Sequence, residues 1–387
     1  MKRFTGFIVL LLLLAGSSFA VTDRLYSNLE GSSLVQPEKD RFSFAVLGDF
    51  RPARRDLPYA DVFARMLEEV SLVSPDLVMS TGDAYYGYGG SFQRFRNEVS
   101  RFLSEAKAVG VPFFNITGNH EVTQDAERER YAKEVFGKFY GSFDYGSSHF
   151  IVLNTEERGK EGLIAGEQLD WLKRDLEANK NASNLFVFLH RPLFSVVDPE
   201  MTTGKSFSDK ANRDSLHELF RQYRVKAVLA GHEHLFDDRT KDGVRYFIVG
   251  GGGSPLAGGV QKGGFFQYMI ITVQGSDVTI DTFAPFGLQV RSMRGNDGLE
   301  AVSEIELLNS GYAALELKSL DFIMPMNEAE GYRVTAVSIS NYNEKKAHPA
   351  EISGVKDNED GTATVSVGVV AEGNGYYRIV VESDVDK

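Results

Sequence analysis

The sequence predicts an α/β protein that carries a smaller all-β domain toward its C-terminal end. Three observations lead there. From about Arg41 to Thr282, apolar strand-like runs alternate with amphipathic helix-like segments, the pattern of βαβ units and largely parallel sheets. Beyond about Pro285 the helical periodicity fades. Gly361–Val370 then alternates, with Ala363, Val365, Val367 and Val369 on one face and Thr362, Thr364, Ser366 and Gly368 on the other, as in a half-buried strand.

The strand-like runs are Phe42–Leu47, Asp76–Thr81, Pro112–Thr117, Leu185–Leu189 and Lys226–Ala230. Helical patterns fall near Ala60–Val70, Phe92–Lys107, Glu167–Ala178 and Asn212–Arg221. Two stretches break the parallel rhythm and read as hairpins: Ser142–Tyr145 with His149–Asn154, and Phe265–Val273 with Val278–Phe283. Tyr332–Ile339 and Tyr376–Val381 are strand candidates separated by Asn/Gly/Asp-rich turns. The expected division is an α/β domain over 41–290 and a β-sandwich-like domain over 295–387.

The 387 residues suffice for two cores. A formal charge of −12 argues against a nucleic-acid-binding surface, which needs a basic footprint, and against adsorption to anionic membranes. Lys2 and Arg3, the apolar run Phe7–Leu14 and the small-residue site Ser18-Phe19-Ala20 read as a cleaved export signal over 1–20. A membrane anchor is the competing reading, but the apolar core is short for the roughly 20 residues a span needs. The absence of cysteine excludes disulfides and suits an oxidising compartment. The mature chain is therefore expected to be periplasmic, secreted or on the cell surface, without a transmembrane span.

Five strand-like runs end in a polar side chain able to hold a metal, four of them directly after glycine. They are Phe-Ala-Val-Leu-Gly-Asp49, Val-Met-Ser-Thr-Gly-Asp83, Phe-Asn-Ile-Thr-Gly-Asn119, Val-Phe-Leu-His190 and Val-Leu-Ala-Gly-His232-Glu-His234. Open α/β sheets place binding groups just beyond the carboxyl ends of their strands, and a preceding glycine lets the chain turn sharply there. Carboxylates, an amide oxygen, imidazoles and a phenol suit iron, manganese or zinc. A carboxylate such as Asp83 can bridge two cations, and a metal pair is what phosphate-ester hydrolysis most needs.

Gly82-Asp83-Ala84-Tyr85-Tyr86, Gly118-Asn119-His120-Glu121, Val187-Phe188-Leu189-His190 and Gly231-His232-Glu233-His234 resemble calcineurin-like metallophosphoesterases. The second motif resembles the purple acid phosphatase branch. The resemblance covers about residues 41–285 and implies a four-layer α/β/β/α sandwich of two mixed sheets. It implies that Asp49, Asp83, Tyr86 and His234 hold a first metal, and that Asp83, Asn119, His190 and His232 hold a second. The pair would be iron with iron, zinc or manganese, with Tyr86 as phenolate selecting ferric iron. His120 would contact phosphate or protonate the leaving oxygen, a task that suits imidazole. The implied activity is hydrolysis of phosphomonoesters by a metal-activated hydroxide. A phosphodiesterase or nucleotide-cleaving enzyme on the same cage is the nearer alternative, and a non-catalytic surface binding protein the more distant one.

The first motif departs from the pattern. It reads Gly48-Asp49-Phe50-Arg51, where the purple branch has a glycine at the last position and other branches a metal-binding histidine. Arginine cannot ligate a metal because it stays protonated. Arg51 can either bind substrate phosphate bidentately or pair with a nearby carboxylate. Tyr85-Tyr86-Gly-Tyr88 can also be read as an aromatic packing loop, and Glu121 as a cap or a support for the metal loops. Ser195–Arg213 is a long polar stretch; it either borders the substrate pocket, with Lys205, Asn212 and Arg213 joining Asn119 and Arg51 as substrate contacts, or is a surface insertion. Gly250–Gly253 lack a following Lys-Ser/Thr and so are not a P-loop; a tight turn near the metal face is expected. His149, His217 and His348 are expected to be structural or superficial, and Trp171 to pack in the core.

Overall fold

The computed structural model describes residues 34–37, 40–122, 125–203, 206–285, 287–296, 300–309, 314–326, 331–340, 344–372 and 375–383. The leader expected over 1–20 and Lys205 lie outside them. In chain order the first part contains β1 (Arg41–Leu47), α1 (Asp61–Val73), β2 (Leu77–Ser80), α2 (Phe92–Ala108), β3 (Phe113–Phe114), α3 (Asn119–Val122), α4 (Ala126–Phe136), β4 (Gly141–Tyr145), β5 (Ser148–Val152), α5 (Gly166–Ala178) and β6 (Asn184–Phe188). There follow α6 (Lys210–Gln222), β7 (Ala227–Ala230), β8 (Phe236–Lys241), β9 (Val244–Val249), β10 (Tyr268–Gln274) and β11 (Asp277–Phe283). The second part is all strand: β12 (Leu288–Arg294), β13 (Val302–Asn309), β14 (Leu315–Pro325), β15 (Tyr332–Ser340), β16 (Glu344–His348), β17 (Ala350–Asp357), β18 (Thr362–Ala371) and β19 (Gly375–Ser383).

Alternation along the central strands decides the layering. Two mixed sheets form, ordered β11-β10-β1-β2-β3 and β4-β5-β6-β7-β9-β8. Successive strand residues point to opposite faces, and here both faces are apolar. Phe42, Phe44 and Val46 of β1 meet Phe150 and Val152 of β5 and Phe186 and Phe188 of β6 in a core between the sheets. The intervening Ala45 and Leu47 instead face the helical side with Phe63 and Met66 of α1 and Phe102 of α2. Ile151, Val187 and Val228 face Leu172 of α5 and Phe220 of α6 on the far side. The result is the four-layer α/β/β/α sandwich. The inter-sheet core is rich in rings: Phe44 lies 5.1 Å from Phe150 and 5.2 Å from Phe186, and Phe143 stacks on Phe150 at 4.9 Å.

Side-chain caps set several helix starts. Ser91 accepts from Arg94 N at α2, Asp125 from Glu127 N and Arg128 N at α4, and Asp209 from Asn212 N at α6. Each satisfies an N–H that the helix itself cannot. The Asp209 cap begins α6 at Lys210, so the long polar stretch after His190 is shorter than expected and Arg213 belongs to a helix. Among the described residues no helix is long and apolar enough to cross a membrane.

The C-terminal strands form a five-stranded antiparallel sheet, β12-β13-β19-β15-β16, and a three-stranded one, β14-β18-β17. Val365, Val367 and Val369 of β18 meet Ile305 and Leu307 of β13 and Ile379 of β19 between them, on the face the alternation of Gly361–Val370 predicts. β14 also packs on α1, and Lys318 reaches Asp76 at 3.0 Å. The first of these strands starts at Leu288, ahead of the limit expected at residue 295. We propose that the boundary between the α/β and all-β domains falls between β11 and β12.

His149 is a structural group, as expected. It faces Asp144 across the β4–β5 hairpin, with Nδ1 2.6 Å from Asp144 Oδ1 and Nε2 2.9 Å from Asp175 Oδ2 of α5. Burial disfavours its charge, but the hydrogen bonds to Asp175 and Asp144 outweigh burial and raise its pKa above the ordinary value. The stabilisation is complete below the unfolded pKa of about 6.5 and is lost as pH rises through the raised folded value. The difference in unfolding free energy between the parent and His149→Gln should be widest near about pH 5.5 and shrink toward about pH 9. Chemical denaturation across that range measures it, and a gap independent of pH would sink the account.

Candidate metal centre

The loops following β1, β2, β3, β6 and β7 meet at one edge of the sandwich, where hydrogen bonds join the two sheets. Thr81 Oγ1, beyond β2, donates to Val249 O of β9 at 3.1 Å. In return His190 Nδ1, beyond β6, lies 2.8 Å from Thr81 O. His232 N donates to Asp49 Oδ2 at 2.8 Å, and Ser254 N to Asp49 O at 2.8 Å. Gly252 N donates to Gly48 O at 2.9 Å, so Gly250–Gly253 form a tight segment against the metal face, as the sequence suggests.

Of the glycines before the candidate ligands, Gly82 has φ of 94°, the turn the sequence suggests, while Gly118 and Gly231 act differently. A Cβ on Gly118 would collide with Asp83 Oδ1, and one on Gly231 with Asp49 Oδ2. Room for close approach, more than the freedom to turn, is therefore what glycine supplies at these two positions. The sharp turn falls largely on the ligands themselves. Asp49, Asp83 and His232 have φ of 54°, 57° and 69°, a left-handed conformation that costs a non-glycine residue about 1–3 kcal/mol. Such strain clusters where side chains must be aimed.

Two groups of donors converge here. His234 Nδ1 is 2.7 Å from Pro255 O, which fixes the proton on Nδ1 and turns the Nε2 lone pair toward Asp49 Oδ1 at 3.5 Å. That buried Oδ1 accepts no hydrogen bond. Asp49, Asp83 and His234 each offer a ligand atom within 4.8 Å of the others. In the second group, the Nδ1 contact with Thr81 O leaves the His190 Nε2 lone pair 3.1 Å from Asn119 Oδ1 and 3.4 Å from Asp83 Oδ1. His232 Nδ1 lies 2.9 Å from Asn119 Oδ1 and 3.1 Å from His190 Nε2. Donors about 2.1 Å from one ion lie roughly 3.0 Å apart in octahedral geometry and roughly 3.4 Å apart in tetrahedral geometry. The Asn119, His190 and His232 contacts fit that spacing, and Asp83 of the first group touches this one through His190.

Burial sharpens the need for a cation. It pushes the Asp49 carboxyl well above the usual carboxylate range, with the nearby His190 opposing. Burial acts the same way on Asp83, but the attraction of its neighbours His120, His190, His232 and Arg51 outweighs it and holds that carboxyl well below its usual range. Burial pushes His120 down to about 4, against the pull of Asp83.

The surrounding residues aim the donors. Glu121, 1% exposed, accepts from Ala84 N and Gly118 N, both at 2.7 Å, and from Asp83 N at 3.1 Å. It is at once a local cap and a tie between two metal loops. Tyr88 OH receives Asn119 Nδ2 at 3.1 Å, which turns Asn119 Oδ1 toward the histidines, and the Tyr88 ring stands edge-on to His120 at 4.6 Å. Arg191, next to His190, makes a buried two-point bond to Glu156 at 2.7 and 2.9 Å. Sequence reasoning missed the Tyr88 and Arg191 roles; Arg191 directly follows a motif histidine, which was the available signal.

The other candidates separate clearly. His120 Nδ1 bonds Tyr86 O, and its Nε2 lies 3.8 Å from Asp83 Oδ2. Arg51 Nε also lies 3.8 Å from Asp83 Oδ2. The Tyr86 ring sits beneath the Arg55 and Arg51 guanidinium groups, at 5.4 and 5.9 Å, and 5.8 Å from the His120 ring. Arg213 is engaged elsewhere, by Asp214 at 2.8 Å and over the Phe194 ring at 5.4 Å. Asn212 clamps the backbone of Ile164, so neither is brought to the metal ligands. His217 bonds Tyr246 and Asp242, and His348 bonds Val370 O, both structural. Trp171 is partly buried against the α5–α6 core.

Residues 42–236 match the calcineurin-like phosphoesterases, and the chain belongs to that family. It is 27% identical over 218 residues to acid phosphatase type 7 of Danio rerio, covering 50% of this chain and 47% of that one. It is likewise 27% identical over 223 residues to probable inactive purple acid phosphatase 27 of Arabidopsis thaliana, covering 47% and 35%. A purple acid phosphatase from yellow lupin (Lupinus luteus) seeds shares the fold, with a TM-score of 0.52, 17% identity, and coverage of 65% of this chain and 53% of that one. The chain thus spans between a third and a half of the length of these two curated relatives. Membership implies a binuclear metal centre and a phosphoesterase framework.

Replacing Glu121 with alanine would leave three buried N–H groups without an acceptor, at about 1–3 kcal/mol each. The Glu121→Ala variant should lose about 3 kcal/mol or more of stability in urea titration, and an unchanged midpoint would refute the tie.

Proposed function

We propose that the chain hydrolyses phosphate esters, phosphomonoesters first among them, at a centre of two metal ions. The observation that carries this reading is the pair of converging donor groups, with Asp83 against both. Asp49, Asp83, Tyr86 and His234 would hold one ion, and Asp83, Asn119, His190 and His232 the other. Oxygen and imidazole donors suit iron, zinc or manganese, and a Tyr86 phenolate favours ferric iron at the first position. When bound, the ions would activate water and neutralise the charge that grows on the phosphoryl oxygens.

The chain's own residues supply orientation and the proton. His120 is held through Nδ1 by the Tyr86 carbonyl, so its Nε2 is the atom that exchanges a proton with the leaving oxygen. Arg51 offers its guanidinium to a phosphoryl oxygen beside Asp83. Asn119 and Tyr88 line the same side, while Lys205 and Arg213 are lesser candidates for substrate contact. We also propose that residues 1–20 direct export, placing the mature chain outside the cytoplasm. A non-catalytic binding role draws support from one observation, the arginine at the position where other branches carry glycine or a metal-binding histidine.

The test is metal reconstitution followed by assay against a panel of phosphomonoesters and phosphodiesters. Monoester turnover that depends on added metal supports the reading; diester preference would redirect it, and no turnover with any reconstituted metal would favour the binding role. Asp83→Asn removes the shared charge, so activity should fall by about a hundredfold or more and bound metal, measured by elemental analysis, should drop with it. Near-full turnover in that variant would remove Asp83 from its assigned place.

A further inference from the structure

We infer that Arg51 makes the two positions unequal toward divalent ions: the Asp49, Asp83, Tyr86 and His234 set binds such an ion weakly and exchangeably, while the Asp83, Asn119, His190 and His232 set holds it tightly. The inference rests on the two-metal reading above and assigns a division of labour within it.

Arg51 cannot swing clear of the first set. Its backbone N donates to Asp83 O at 3.0 Å, and its backbone O accepts from Ser254 Oγ at 3.1 Å. The residue is thereby pinned between the β2 loop and the glycine-rich segment. Its side chain is only 15% exposed and brings Nε to 3.8 Å from Asp83 Oδ2. That Nε is buried and has no hydrogen-bond partner, while one terminal nitrogen reaches Pro52 O at 3.3 Å. The guanidinium stands over Tyr86 at 5.9 Å, the phenol assigned to the same ion. Its field reaches Asp49, His120 and His234.

A guanidinium stays protonated at every working pH. A metal ion arriving at the first set therefore meets a fixed like charge and must share the carboxylate that compensates it. The second set also feels a fixed cation, Arg191, whose charge acts on His232, but that cation is compensated. His190 and the backbone N of His120 meet the other oxygen of Asp83, at 3.4 and 3.1 Å. The arginine on that side, Arg191, is already matched by the two-point bond to Glu156. A unit charge a few ångströms from an ion in a medium of effective dielectric about 20 weakens binding by about tenfold or more.

Equilibrium dialysis of the chelator-treated full chain against Mn2+, with elemental analysis, tests this without reference to turnover. The parent should show two classes of site whose dissociation constants differ by about tenfold or more. His234→Ala should abolish only the weaker class. Arg51→Gln should tighten the weaker class toward the stronger, whereas Arg51→Lys, which keeps the charge, should leave the gap in place. Circular dichroism checks that each variant is folded, and Arg51→Met, which removes the charge at similar length, takes the place of Arg51→Gln if that variant is not. Two equal sites in the parent, an unchanged gap in folded Arg51→Gln, or loss of the tighter class in His234→Ala would overturn the inference and leave the two-metal reading standing. No Mn2+ bound by any form would overturn both.

Discussion

A carboxylate taken out of water needs positive charge brought to it, and that requirement at Asp83 organises the whole edge of the sandwich. With 2% of its surface exposed, Asp83 has His190 on one oxygen and Arg51 and His120 on the other. Its backbone amide is tied to Glu121. Burying an unpaired ion is among the most costly acts a fold can perform. The neighbours that compensate this one come from β1, β3 and β6, on both sheets. Fold and chemistry are thus fixed by the same residue.

The meeting of the motif residues was legible in the sequence, as was the sandwich that brings them together. Each ligand block carries its own signature, an apolar run that stops at a polar donor, and Asp49, Asp83, Asn119, His190, His232 and His234 do converge. Convergence of strand ends is a property of the architecture, so reading the strands gave the meeting point. Tyr86 was harder, because an aromatic side chain packs as readily as it ligates. The Tyr88–Asn119 and Glu156–Arg191 contacts were not legible, since they depend on loop paths that no local pattern encodes. Arg213 lies on the helix that its periodicity suggests, begun by the Asp209 cap, where Asp214 and Phe194 engage it.

Among the secondary elements, apolar periodic segments were readable and charged ones were not. α2, α5 and α6 follow their apolar stripes closely. α4 escaped notice because Glu127, Arg128, Glu129 and Arg130 mask its narrow buried face of Arg128, Ala132 and Phe136. β8 is two-thirds charged along Phe-Asp-Asp-Arg-Thr-Lys and partly exposed at the sheet edge, so it lacks the apolar alternation that reveals a strand. β3 is only two residues long, far shorter than the apolar stretch from Pro112 suggests, because the chain leaves the sheet early to deliver Asn119.

The donors of each ion group are drawn from both sheets, so the centre lies across a seam. The thickness of that seam is set by the aromatic rings of Phe44, Phe143, Phe150 and Phe186, packed well away from the edge. These rings act as a mechanical gauge: their bulk determines how far apart the two walls stand, and hence the spacing at which the opposing donors are held.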